Sequence, residues 1–348
     1  MPRLLPLLVL AVWMAGCTAA EGQRPAAERI RSVTLDARSA PEPHLLDHLR
    51  DLGVTHLTLI SFGFQPGYRT PEIRLHNDAR WYSESDAGIR ALAAEAEARG
   101  MRLILKPHVW VGGYSAGGQE RHAIGFATEE AWQAWEQQYH TFLMHYARLA
   151  AEVDAALLVV GTELANVAKT REPFWRRLIA DVRAVYDGPL TYAANWWEEY
   201  EDVPFWDALD YVGVQAYFEL SDAPEPSAQQ LRAGWQPHVE ALRRLADRTG
   251  RPILFTEIGY RNVGYAAAEP WRWPSRDEPG EPDDALQARL YDVFFETLWH
   301  EPWFAGAILW KWHPEADRQG RRGTRLDFSP QGRPAETVIA RWFAGATR

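Results

Sequence analysis

Two glutamates each close a short apolar run: Leu157-Leu158-Val159-Val160-Gly161-Thr162-Glu163 and Ile253-Leu254-Phe255-Thr256-Glu257-Ile258-Gly259. A carboxylate directly after such a run stands where a buried strand meets solvent, and barrel enzymes keep their reacting groups at strand ends. One such residue alone often does no more than cap a helix or hold an arginine. Two of them, on strands that face each other, can approach to about 5–5.5 Å. At that spacing one carboxylate attacks an anomeric carbon. The other protonates the departing oxygen and then deprotonates the incoming water. Like charges so close push their pKa values apart, which separates the two roles.

The elements that must position this pair follow from hydrophobic periodicity. From Ile30 onward short apolar runs alternate with longer amphipathic stretches, the pattern of a parallel sheet with crossover helices. Strands are expected over Ser32–Ala37, Thr55–Phe62, Arg102–Val109, Ala156–Thr162, Leu190–Asn195, Tyr211–Tyr217, Pro252–Glu257 and Ala305–Trp312. Helices are expected near Pro43–Leu52, Ser85–Arg99, Glu129–Val153, Pro173–Tyr186, Val203–Ala208 (short), Ala228–Thr249, Asp283–His300 and Ala335–Phe343. Gly53, Gly100 and Gly250 fall where helices must end in a positive-φ residue, and Ser227 with Gln230 makes a capping box. Eight strand–helix units predict an α/β fold, a single-domain (β/α)8 TIM barrel. Glu163 then ends its fourth strand and Glu257 its seventh, across the mouth from one another. Long loops over Trp110–Thr128 and Gly259–Asp283 leave the same face, and Gly112-Gly113 with Gly117-Gly118 predicts a flexible lid in the first of them.

On these residues the chain resembles glycoside hydrolase family 113. The resemblance rests on Gly161-Thr162-Glu163-Leu164, Leu190-Thr191-Tyr192-Ala193-Ala194-Asn195-Trp196, Val212-Gly213-Val214-Gln215-Ala216-Tyr217 and Thr256-Glu257-Ile258-Gly259-Tyr260. It runs from about Ile30 to the last helix. The family's known members are mainly β-1,4-mannanases, so the resemblance implies a retaining hydrolase of a β-linked glycan, β-1,4-mannan above all. Another β-glycan, or a non-catalytic glycan-binding lipoprotein, is the alternative. The resemblance also implies Glu163 as acid/base and Glu257 as nucleophile, with Tyr217 beside Glu257. The wider clan commonly carries Asn before the acid/base, bonded to a sugar hydroxyl. Thr162 stands there instead, so either Asn195 serves the sugar or that contact is weaker.

Aromatic content points the same way. Of seventeen tryptophans, Trp132, Trp135, Trp175, Trp206, Trp235, Trp299, Trp303 and Trp342 lie on expected helices or beside them and are read as packing. Trp110, Trp196, Trp197, Trp310 and Trp312 cluster at strand ends, where flat faces suit the C–H faces of sugar rings. Trp271 and Trp273, in the seventh loop, either frame an outer subsite or anchor the loop. Lys106, His108 and Trp110 alternate along the third strand and share one face. His108 either bonds a sugar, orients a carboxylate or is structural. The expected substrate-binding set is therefore His108, Trp110, Asn195, Trp196, Tyr217 and Trp310.

Other classes fit poorly. The net charge is −10, and only three lysines accompany the arginines, so no nucleic-acid partner is expected. The first strand carries no His-x-His pair, and His44 and His48 sit on a helix, so no metal is expected. Leu35-Asp36-Ala37-Arg38-Ser39 lacks a Gly-rich phosphate turn, so no cofactor is expected either. The N-terminus predicts export. Arg3 precedes an apolar run from Leu4 to Ala15, about the length of a signal-peptide core and shorter than the roughly 20 residues of a membrane span. Met14-Ala15-Gly16-Cys17 resembles a bacterial lipobox, and Cys17 is the only cysteine. The expected organisation is a signal peptide (1–16), a tether (17–29) and the barrel (30–348), lipid-anchored to the cell envelope through Cys17.

Overall fold

The structure is a computed structural model that describes residues 29–75, 81–112, 119–273, 280–314 and 326–345. Its strands are β1 (Ile30–Leu35), β2 (His56–Gln65), β3 (Arg74–Leu75), β4 (Arg102–Val111), β5 (Leu157–Thr162), β6 (Leu190–Asn195), β7 (Tyr211–Gln215), β8 (Ile253–Ile258) and β9 (Phe304–Trp312). All but β3 run parallel and close into an eight-stranded barrel, because β1 pairs with both β2 and β9. The short β3 lies antiparallel on the end of β2. Around the barrel stand α1 (Pro43–Asp51), α2 (Asp86–Glu97), α3 (Glu129–Glu152), α4 (Ala165–Thr170), α5 (Glu172–Arg183), α6 (Ala228–Thr249), α7 (Asp284–Leu298) and α8 (Pro334–Phe343). The expected (β/α)8 barrel is thus observed, with β5 and β8 as its fourth and seventh barrel strands.

Local signals explain the boundaries. Gly53, Gly100 and Gly250 adopt φ of +86°, +73° and +65° at helix ends, conformations that a Cβ disfavours. Ser227 and Gln230 form the reciprocal capping box at the start of α6. The helix expected near Val203–Ala208 shrinks to one 3-10 turn, Trp206–Ala208. Neither β3 nor α4 was anticipated, since two and six residues are too short to establish a period.

Apolar side chains form two layers. Ile30, Ile104, Leu157, Val159, Ala193, Leu254 and Ile308 fill the barrel interior. A larger shell lies between strands and helices. In α5 the buried residues Phe174, Trp175, Leu178, Ile179 and Val182 recur at helical spacing, one stripe facing the sheet. Of the helix-side tryptophans, Trp135, Trp175, Trp206, Trp235, Trp299 and Trp342 are buried, while Trp132 and Trp303 are partly exposed. Trp312 corrects the strand-end grouping: it is buried in the outer shell beside His48 and does not face the cleft. His44 and His48 are exposed on α1, and His48 bonds Glu336.

Among the described residues no helix is long and apolar enough to cross a membrane. The signal segment, Cys17, the tether before Arg29, and Gly113, Gly117 and Gly118 of the expected lid lie outside the described residues.

Trp175 stacks on Phe205 at 5.1 Å and meets Tyr192 edge-on at 5.3 Å, with no exposed surface. Trp175→Ala should therefore lower unfolding free energy by about 3–5 kcal/mol, read from the shift of the urea midpoint. A loss of under about 1 kcal/mol would mean the shell collapses into the space, contrary to this packing.

Candidate active site

Both glutamates are aimed by breaks in strand alternation. Along β8, Phe255 packs outward against Trp235 and Phe294, while Leu254 lies in the barrel interior. Strict alternation would send Glu257 outward with Phe255. The β7–β8 register shifts instead, pairing Val214 with Phe255 but Gln215 with Glu257. The extra residue turns Thr256 and Glu257 both toward the interior, as a bulge does. The β5–β6 register shifts too, between Val159 and Thr162. At Gly161 a Cβ would lie 2.6 Å from Trp175 and 2.8 Å from Tyr192, so no larger residue fits on that approach to Glu163. Glu163 itself has φ +54°, a left-handed conformation that costs a residue with a Cβ about 1–2 kcal/mol.

The two carboxylates share one amide. Gln215 Nε2 donates to Glu163 Oε1 at 3.2 Å and to Glu257 Oε2 at 2.8 Å. Those oxygens therefore lie no more than 6.0 Å apart, the sum of 3.2 and 2.8 Å. This is inside the separation of about 6.5–9.5 Å that an inverting pair needs for its water. The Gln215 oxygen accepts from Lys106 Nζ at 2.9 Å and from the Thr256 hydroxyl at 3.1 Å, which fixes the orientation of the amide.

The electrostatic settings differ. Lys106, without exposed surface, donates to Glu257 Oε2 at 2.7 Å and to the Thr256 carbonyl at 3.0 Å. Burial pulls its ammonium below the ordinary lysine range, and the Glu257 charge partly offsets this. The Tyr217 hydroxyl donates to the other oxygen, Glu257 Oε1, at 2.6 Å. Glu163 instead has a partner from outside the barrel strands, Arg121, whose Nε and Nη2 both reach Oε2 at 2.9 and 2.6 Å. Burial alone would raise the Glu163 carboxyl. The charge and hydrogen bonds of Arg121, helped by Gln215 and Lys106, outweigh burial and hold it below its ordinary value.

The remaining expected residues line or flank this pair. His108 is buried, without a hydrogen-bond partner at Nε2, and burial, then Arg121 and Lys106, hold it neutral. Tyr217, Trp310, Ile60 and Phe328 form one apolar cluster, with Phe62 and Trp196 against it. Trp110 is exposed and meets Phe62 edge-on. Glu219 accepts from both the Trp196 and the Trp271 indoles, at 3.3 and 2.9 Å. Trp273, also exposed, stands edge-on to Trp310 at 6.0 Å. Lys311 lies 5.0 Å over Trp310 and pairs with Asp36. Asn195 is buried, and its amide donates to Glu199 at 2.9 Å. The Thr162 hydroxyl is buried and has no hydrogen-bond partner among the described residues.

Three residues escaped the sequence reading. Gln215 stood within a quoted motif, and a lone amide in an apolar run was the signal for it. Arg121 sits in a 3-10 turn, Gln119–Ala123, and carried no periodic signal. Glu199 is one of several acidic residues after Trp197; burial pushes its carboxyl up to about 7, its hydrogen bonds oppose this, and the Glu163 charge adds to it. Among the described residues no group of three or more His, Cys, Asp or Glu is arranged to hold a metal.

A sequence profile of Glycoside Hydrolase Family 113 matches residues 36–333. The chain belongs to glycoside hydrolase family 113. Its fold is similar to the family 113 β-mannanase of Alicyclobacillus acidocaldarius, with a TM-score of 0.76, 29% identity, and 92% of this chain and 98% of that one covered. A family 113 β-1,4-mannanase structure is similar at a TM-score of 0.75, with 25% identity and coverages of 91% and 99%. A family 5 mannosidase from Rhizomucor miehei shares the fold, at a TM-score of 0.61 and 11% identity over 91% and 92% of the two chains. No curated protein matches the chain.

In this family 113 enzyme, Arg121→Gln should let burial dominate at Glu163. Removing the cation disfavours the ionised form, so the carboxyl should titrate at higher pH than in the parent protein. Carbon-13 NMR of labelled glutamate carboxyls, assigned by loss of one signal in Glu163→Gln, reads this directly. An unchanged titration would show that Arg121 does not set the Glu163 charge.

Proposed function

We propose that the protein is a retaining β-1,4-mannan hydrolase, with Glu257 as nucleophile and Glu163 as acid/base. The observation that carries this reading is the Gln215-bridged pair, at most 6.0 Å apart between the bonded oxygens. The substrate class is supported by the solved family 113 structures, which are named as β-mannanases.

Glu257 is suited to attack. It lies beside a buried ammonium, and the Tyr217 hydroxyl, Lys106 and Gln215 fix its direction. As its oxygen bonds the anomeric carbon, the glycosidic C–O bond breaks and Glu163 gives its proton to the leaving oxygen. Glu163, now a carboxylate, then takes a proton from water as that water displaces Glu257, which leaves Glu163 protonated again and Glu257 a free carboxylate. Glu163 must hold a proton for the first step, and Arg121 opposes that in the free enzyme. A leaving-group sugar that displaces the guanidinium removes the opposition. Trp196, Trp310 and Trp110 offer faces and edges for sugar rings, and His108, as a neutral imidazole, offers a hydrogen bond. Asn195 is the remaining amide of the expected sugar-binding set, held by Glu199.

The two carboxylates should fail differently. Glu257→Ala should lose orders of magnitude on every substrate, with azide restoring turnover and giving inverted product. Glu163→Ala should still cleave dinitrophenyl glycosides, whose leaving group needs no proton, and azide should then give retained product. Initial rates on both substrate types and on β-mannan, glucan, galactan and xylan, with NMR of the first-formed anomer, test this. Inverted product from the unmodified enzyme, or near-normal mannan hydrolysis by either variant, would overturn it.

The N-terminal reading belongs to the same proposal: Cys17 carries lipid and tethers the barrel to the bacterial envelope. Acyl chains contribute about 0.8 kcal/mol per buried CH2, so more than one chain holds firmly. Expressed in a bacterium, the full chain should fractionate with membranes and Cys17→Ser should not. Mass spectrometry finding an unmodified Cys17 thiol on the mature protein would overturn the anchor.

A further inference from the structure

Glu163 holds a left-handed backbone conformation, and such a conformation persists at a functional site only where the surroundings over-determine it. The Glu163 amide donates to the Ala193 carbonyl at 2.8 Å. The next amide, that of Leu164, finds no backbone acceptor and donates to the Tyr192 hydroxyl at 2.7 Å. That hydroxyl in turn donates to Glu199 Oε1 at 2.5 Å. Glu199 Oε2 accepts from the Asn195 backbone amide at 2.7 Å and from its side chain at 2.9 Å.

Tyr192, Leu164 and Glu199 are all buried, and among the described residues Glu199 forms no ion pair. A buried carboxylate without a cation is a costly way to fill space. Its chemistry explains its use here. Burial works against the ionised form of Glu199 and its hydrogen bonds from Tyr192 and Asn195 work for it; in that form the carboxylate only accepts, so it commits the Tyr192 proton to itself and leaves the hydroxyl lone pairs for Leu164. An amide in its place has one oxygen only: turned to the Asn195 donors, it presents its NH2 to the Tyr192 hydroxyl, which then no longer donates at that position.

We propose that Glu199 and Tyr192 are positioning residues for the acid/base, holding the Glu163–Leu164 peptide in the turn that aims the Glu163 carboxyl into the cleft. The proposal rests on the reading of Glu163 as acid/base. It predicts damage confined to steps that need Glu163's proton, which a merely structural role would not produce.

The test uses Tyr192→Phe and Glu199→Gln in the full chain, both close to the parent side chains in size, with thermal melts to confirm folding. Values of kcat/KM are measured on phenyl and 2,4-dinitrophenyl β-mannobiosides, and on both for Glu163→Gln. The expected result is a fall of about 10-fold or more on the phenyl substrate, part of the 10²–10⁴ that general-acid catalysis contributes. On the dinitrophenyl substrate the values stay within about 2-fold of the parent. Equal losses on both substrates, or no loss on either, overturn the positioning role. If Glu163→Gln alone shows the selective loss, the acid/base reading stands and this proposal fails. If Glu163→Gln shows none, both fail.

Discussion

At the floor of the cleft a lysine without exposed surface places its ammonium 2.7 Å from Glu257, with the Gln215 oxygen and the Thr256 carbonyl completing its partners. Taking both charges out of water is expensive, and only the pairing and these extra bonds make it tolerable. Removing either partner alone would strand a buried charge, at about 3–5 kcal/mol. The rest of the site is arranged around this constraint. Lys106 comes from β4 and Glu257 from β8, so the barrel must close, with β7 in register beside β8, before the pair exists.

Gln215 transmits the constraint to the second carboxylate. Its oxygen faces the Lys106 ammonium and the Thr256 hydroxyl, so its amide nitrogen must face outward, where both glutamates accept from it. A single side chain thereby sets the spacing of the pair. Beyond that spacing the environments diverge. Glu257 is held by buried partners from the barrel strands and by Tyr217 just past β7. Glu163 is held by Arg121 from a loop. Two identical side chains thus acquire different electrostatic settings, which under the proposed function separate their tasks.

The aromatic residues divide along the same line. Those of the outer shell, such as Trp175 and Trp235, are fully buried and stack on Phe205 and Phe255. Those of the cleft meet edge-on, as Trp273 does Trp310, and Trp110, Trp271 and Trp273 keep surface exposed, with Glu219 fixing two indoles, Trp196 and Trp271. The aromatic rim and the Glu163–Glu257 pair open on the same cleft, so under the proposed function recognition and chemistry share one framework.

Hydrophobic period and turn chemistry by themselves determined the eight strands, most of the helices, the helix-ending glycines and the placing of Glu163 and Glu257 at strand ends. These are local properties, repeated every two or 3.6 residues, and a single chain displays them. The quoted motifs added the family. Tertiary structure alone decided which way Glu257 points, because alternation sends it outward and only the shifted pairing of Gln215 with Glu257 brings it in. It also decided that Trp312 is core, that Gln215 bridges the pair, and that Arg121 and Glu199 reach the Glu163 turn from a loop and from beyond β6. The hydrogen bonds that join the pair to Gln215, Arg121 and Lys106 link residues 42 to 151 positions apart, such as Arg121 with Glu163 and Lys106 with Glu257. No local period encodes such contacts, since they exist only once the barrel has closed.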